Sequence, residues 1–121
     1  MAAFKQVCLL FVAMWAAVLL SGGHGRSAYV GGWQEQKPDG DPKYLQLAHY
    51  AVSTQTQNLT MYDTVVNLTR VRTQVVAGVN YNLTFTTAPS NCTIGTDNYT
   101  AQHCVSAGTV NGLCSAIVYV G

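Results

Sequence analysis

The side chains able to attack, to hold a metal or to carry a covalent group are four cysteines, three histidines and a set of Asn-x-Thr triplets. His103 directly precedes Cys104, and a thiol beside an imidazole is the pairing that a thiolate nucleophile needs. In a secreted chain, however, a cysteine more often serves a disulfide. His49 falls mid-helix by pattern and His24 near the chain start, so neither supplies a second partner. The cysteines and histidines also lack the spacing of zinc ligands. There is no paired Asp/Glu arrangement and no phosphate loop. The chemistry best supported by type and spacing is N-glycosylation. Five triplets are acceptors by pattern: Asn58-Leu59-Thr60, Asn67-Leu68-Thr69, Asn82-Leu83-Thr84, Asn91-Cys92-Thr93 and Asn98-Tyr99-Thr100. At least two or three of them are expected to be occupied, and the sugars would supply solubility that charge does not.

Charge is scarce: 9% of the 121 residues are Asp, Glu, Lys or Arg, against about a quarter in an average domain. Part of the reason is the start of the chain. Lys5 is followed by an almost unbroken apolar run from Val7 to Leu20, and then by the small residues Ser21-Gly22-Gly23-His24-Gly25. A basic n-region, an apolar h-region and a small-residue zone make a signal peptide, assigned to residues 1–25. The run is shorter than the roughly 20 apolar residues that a comfortable membrane span requires. The cut is expected after Gly25, and one after Gly23 fits almost as well. Cleavage removes Cys8 and Lys5. Residues 26–121 then carry equal numbers of basic and acidic side chains, which argues against binding nucleic acid or an anionic membrane by charge. They form one small domain that buries only about two-thirds of its unfolded surface, so a covalent staple would help it. Cys92, Cys104 and Cys114 remain, and an odd count leaves one thiol over.

The elements that must position these residues follow from period and punctuation. Arg26 to Asp41 is rich in Gly, Pro and polar residues and reads as an extended, mobile arm. Asp41-Pro42 suits a helix N-cap and first turn. Lys43 to Gln57 then places Leu45, Ala48 and Val52 on one face, with Leu47 and Ala51 beside them. Its Ser-Thr-Gln end is a weak helix former. Tyr62 to Thr73 and Gly78 to Thr87 read as strands. In the second, Val79, Tyr81, Leu83 and Phe85 alternate with Asn80, Asn82, Thr84 and Thr86, giving one buried and one wet face. The turn between the strands, Gln74-Val75-Val76-Ala77-Gly78, is oddly apolar. An exposed tip of this kind is costly to solubility unless something binds it. Pro89 to Gly112 is loop-like, and a bridge between Cys92 and Cys104 would add about 3 kcal/mol. Leu113 to Val120 is a final strand. One helix packed across an antiparallel sheet, an α+β fold, is the expected architecture.

These residues resemble the cystatins, inhibitors of papain-like cysteine proteases. Gln74-Val75-Val76-Ala77-Gly78 is similar to their Gln-x-Val-x-Gly hairpin, and Arg70-x-Arg72 precedes it as in the secreted members. Val30-Gly31-Gly32 is similar to their N-terminal trunk. Cys92 and Cys104 resemble their first disulfide. Cys114 to Val120 resembles the strand leading to their second hairpin. The ordered match covers about residues 28–121. It implies a cystatin-like fold and a secreted, extracellular, reversible inhibitor of cathepsin-type endopeptidases, with no enzyme activity of its own and no cofactor or metal. Tyr29, Val30, Gly31 and Gln74 to Gly78 would plug the protease cleft. Val30 would enter the S2 pocket, with Tyr29 beyond it, and Gly31 would let the chain bend away from the nucleophile. The other reading is a non-inhibitory cystatin-fold glycoprotein that serves as a binding module.

Two departures qualify the resemblance. The family's Pro-Trp hairpin, last strand and closing cysteine have no counterpart after Gly121. A truncated sequence is the favoured explanation, because a buried strand left unpaired is an aggregation hazard; a naturally short chain is the other. Cys114 is accordingly expected to be unpaired, in a monomer able to form a disulfide-linked dimer. Asn58 sits where some cystatins carry an Asn against legumain-type proteases. Its neighbours are Gln57 and Leu59 rather than Ser and Asp, and it is itself a sequon, so legumain inhibition is not expected.

Overall fold

The computed structural model describes the backbone of residues 6–14 and the whole of residues 31–121. Its elements are β1 (Gln6–Met14), β2 (Gln34–Gln36), α1 (Pro42–Ser53), β3 (Met61–Val76), β4 (Gly78–Thr93) and β5 (Gly112–Val120). They build a sheet in the order β1-β5-β4-β3-β2. β2 to β5 pair antiparallel throughout, and α1 crosses them.

The helix begins as its sequence dictates. Asp41 is extended (φ −152°, ψ 126°) and its Oδ1 accepts from the Lys43 amide at 2.9 Å, while Pro42 takes the first helical position. It ends at Ser53, earlier than the expected Gln57. The Ser53 and Thr54 hydroxyls donate to the carbonyls of Tyr50 and Ala51, each at 2.7 Å, and so compete for the acceptors of the last turn.

Leu47, Ala48, Ala51 and Val52 are the buried helical residues. They pack on Val71, Tyr81, Leu83, Phe85, Cys114, Ala116 and Val118. The two alanines let the helix backbone approach the sheet closely, and burying a side chain such as Phe85 or Leu83 contributes about 1.5–3 kcal/mol. Leu45, expected on this face, is 44% exposed. The buried stripe centres between Ala48 and Ala51, which leaves Leu45 at its rim. There it lines a shallow cleft with Pro38, Pro42, Val66 and Leu68.

The alternation expected in the second strand is present: Tyr81, Leu83 and Phe85 are buried and the asparagines and threonines between them are partly exposed. Both long strands exceed their expected bounds. β4 runs on through Pro89 to Thr93, opposite a β3 that starts at Met61. Register shifts at Met61/Asp63, Val65/Asn67 and Leu68/Arg70 allow so long a pair to bend.

Two expectations change at the ends of the sheet. The arm contributes β2, which pairs with residues 71–73 of β3. Its Gln-Glu-Gln sequence has no apolar alternation because it is a solvated edge. At the other edge, Gln6–Met14, inside the apolar run assigned to the leader, pairs with β5 in parallel from Gln6↔Gly112 to Met14↔Val120. The outer side of β5, expected to lack a strand, is thus covered by β1.

Cys92 and Cys104 are bonded, with their Cα atoms 5.3 Å apart. The intervening loop clings to β4: the Asn91 amide donates to the Val105 carbonyl, the Val105 amide to Asn91 Oδ1 and the Ala107 amide to the Pro89 carbonyl. Cys114 corrects the expectation of an unpaired thiol. It is buried and disulfide-bonded, and no described cysteine is free. The backbone register pairs position 8 of β1 with position 114, so the strand that the sequence count had set aside lies alongside this cysteine.

Candidate functional site

The turn between β3 and β4 is as tight as a hairpin allows. Val76 pairs with Gly78, Val75 with Val79 and Gln74 with Asn80, leaving Ala77 alone at the tip. Gly78 has φ +122°, a conformation L side chains rarely adopt. A Cβ there would also meet the Val120 carbonyl oxygen at 2.7 Å and the Tyr119 hydroxyl at 2.8 Å. The Tyr119 hydroxyl donates to the Ala77 carbonyl, so the end of β5 braces the tip from below. Val75 is 58% exposed, Ala77 is exposed and Val76 is half-buried. The site is therefore an exposed apolar edge, braced by Gly78 and Tyr119.

The chain that precedes β2 is tied to this edge. The Gly31 amide donates to the Val75 carbonyl at 3.0 Å. Gln74 Nε2 donates to the Gly31 carbonyl at 3.1 Å, and Gln74 Oε1 accepts from Asn80 Nδ2 at 3.2 Å. Gln74 thus bridges the arm and both strands of the hairpin. Gly31 and Gln74 to Gly78, widely separated in sequence, lie together; Tyr29 and Val30 lie outside the described residues. A Cβ at Gly31 would make only an ordinary 3.6 Å contact with the Val75 carbonyl, so packing does not require glycine there.

Side chains around the edge reveal partners that pattern reading missed. Arg70 Nε and Nη2 both donate to the Glu35 carboxylate, at 3.1–3.3 Å, and hold that carboxyl below its usual range. The Arg72 guanidinium lies 5.8 Å from the centre of the Trp33 ring. The Arg-x-Arg pattern was visible in the sequence, but its partners in the arm were not, since nothing local marks them. On the helix side, Lys43 Nζ reaches the Tyr81 hydroxyl at 3.4 Å, and that contact raises the ammonium above its usual range.

The nucleophile reading ends with the fold, because Cys104 is bonded to Cys92 and His103 sits exposed in the loop. His49 lies 2.6 Å by Nδ1 from the Tyr99 hydroxyl, which is 2.9 Å from Thr64 Oγ1. Burial lowers the His49 imidazole below its usual range and raises the Tyr99 phenol. Among the described residues, no three His, Cys, Asp or Glu side chains gather where a metal could sit. Of the five sequon asparagines, Asn58, Asn67, Asn91 and Asn98 are exposed and Asn82 is partly exposed, opposite Arg72. Asn58 has φ +63° in the turn after α1. An N-linked sugar at Asn91 uses Nδ2 and leaves Oδ1 able to keep its bond to the Val105 amide.

A family model described as Cystatin domain matches residues 31–121. The chain is 45% identical over 121 residues to mialostatin of Ixodes ricinus, covering 98% of this chain and 85% of that protein. It is 44% identical over 107 residues to cystatin-2 of Ornithodoros moubata, with 85% and 83% covered. The crystal structure of a salivary cystatin from the soft tick Ornithodoros moubata aligns with a TM-score of 0.71 and 44% identity, over 74% of this chain and 83% of that one.

Proposed function

The chain belongs to the cystatin family of cysteine protease inhibitors, which are not enzymes, and from that premise we propose that it is a secreted, glycosylated, reversible inhibitor of papain-like endopeptidases of the cathepsin type. The observation that carries this reading is the exposed Val75 at a hairpin tip locked by Gly78 and Tyr119 and joined through Gln74 to Gly31. An apolar edge already fixed in shape loses little conformational freedom when it enters an apolar cleft. By the family resemblance, Val30 would enter the protease's S2 pocket, with Tyr29 beyond it. No scissile bond need be cleaved and no covalent bond forms, so inhibition is reversible. The leader-like residues 1–25 and a salivary relative support secretion, and four exposed sequon asparagines support glycosylation. Asn58, flanked by Gln57 and Leu59, does not serve asparaginyl proteases.

Expression of the full chain in a glycosylating host, followed by titration of the secreted product against cathepsin L, tests the proposal. Stoichiometric inhibition is expected. Val75→Asp should weaken it by about a hundredfold or more, because a charge enters an apolar cleft. A folded, monomeric product without inhibition would favour the binding-module reading instead. Unchanged inhibition by the Val75 variant would exclude the tip as the contact. Mass spectrometry of the secreted protein reads the new N-terminus and the occupied asparagines.

A further inference from the structure

The arm is held against the hairpin strand by very little backbone. β2 pairs with β3 over only three residues, Gln34↔Thr73, Glu35↔Arg72 and Gln36↔Val71. A three-residue edge strand is at the short limit of what a sheet holds. Side chains supply the remainder. Glu35 takes both Nε and Nη2 of Arg70, a forked geometry stronger and more directional than a single contact. Arg72 lies beside the Trp33 ring. Gln36 Nε2 donates to Thr73 Oγ1 at 3.0 Å. Beyond Trp33 the Gly31 amide reaches Val75 itself, at the exposed edge.

We propose that Trp33 and Glu35 are positioning residues of the inhibitory edge: by clamping the arm to Arg72 and Arg70 they set Gly31 in register with the hairpin tip before any protease arrives. This rests on the inhibitory reading and extends it to residues that need not touch the protease. The clamp is built of charge and stacking at the surface, so it orders the arm without adding to the core. An arm ordered in advance gives up less freedom on binding than a loose one. The Glu35–Arg70 pair is exposed on both sides, and Trp33 is exposed over a half-buried Arg72. Breaking the pair of them is therefore expected to change affinity by about five- to tenfold rather than to abolish it.

The test uses the full chain with Glu35→Arg, Arg70→Glu, the double charge swap and Trp33→Ala. Two quantities are read for each: the inhibition constant for cathepsin L, and the hydrogen-exchange rate of the Gly31 amide and of the amides of 34–36. Each single variant should raise exchange at those amides and weaken inhibition by a few-fold, with an unchanged melting temperature. The double swap should restore most of both, short of fully, because Arg72 also faces position 35. That rescue separates positioning from a general loss of structure. Faster exchange with unchanged inhibition would overturn the proposal, as would a double swap that restores neither. Failure of the wild-type chain to inhibit at all would instead remove the inhibitory reading, and the clamp's purpose with it.

Discussion

Gln74 donates from its side-chain amide to the carbonyl of Gly31, a residue 43 positions earlier in the chain. A polar side chain at the base of the hairpin thus does what a backbone ladder would do one residue further along. Its other end accepts from Asn80, so both polar atoms of the amide are in use.

Gln74→Ala is expected to release Gly31 while leaving the hairpin formed. Two hydrogen bonds of about 1 kcal/mol each are lost, partly replaced by water, so inhibition should weaken by about five- to twentyfold. The change should fall on the dissociation rate. Stopped-flow binding kinetics would show it, and an unaltered dissociation rate would mean that the bridge plays no part.

Gly78→Ala combines a positive φ with a Cβ that would meet two backbone and side-chain oxygens below 3.0 Å. The loss in stability should exceed about 1 kcal/mol, enough to lower the melting temperature by at least about 4–8 °C. Gly32→Ala is the control. No heavy atom lies near its added Cβ and no positive φ is involved, so its melting temperature should stay unchanged.

Cys92→Ser with Cys104→Ser should cost about 3 kcal/mol by freeing a loop of 12-residue separation. Proteolytic nicking between residues 93 and 103 is the more direct readout. The hairpin tip lies at the far end of β4, so inhibition at low temperature should survive. Loss of inhibition in a still-folded variant would contradict that independence.

The pH dependence of stability follows from His49. Burial lowers its pKa in the fold below the ordinary 6.5. The unfolded chain therefore binds the proton more readily, and the contribution of His49 is fully present above 6.5 and is lost as pH falls through the lower folded value. A neutral imidazole can accept the Tyr99 proton at Nδ1, whereas an imidazolium cannot. Asp63 has the opposite sign: burial raises its pKa, so acid that protonates it favours the fold in a window above 3.8. Thermal melts from pH 7.5 to 5 should show destabilisation that His49→Gln largely removes. An identical slope in that variant would assign the effect elsewhere.

Much of the fold was legible because its signals are local. Asp41-Pro42 caps the helix, Tyr81, Leu83 and Phe85 alternate, and Gly78 marks the turn where only glycine fits. What stayed hidden depends on partners far away in sequence. Gln34–Gln36 carries no strand pattern of its own and becomes a strand only because residues 71–73 present an open edge. Leu45 has the spacing of a core residue, but the helix rotates its stripe onto Leu47 and Ala51. The partners of Glu35 and Trp33 lie about 40 positions away, and the bracing of Ala77 by Tyr119 joins two segments that no periodicity relates. For Cys114, the sequence count stopped at a cut after Gly25, whereas the strand opposite it lies ahead of that cut.

The pairing of Gln6–Met14 with Gly112–Val120 joins the first strand synthesised to the last. At about 5–20 residues per second, the first leaves the ribosome seconds before its partner exists. Contacts of such long range form late and cost the most chain entropy. The order of synthesis thus makes the outer side of β5 the last part of the sheet that the chain can close.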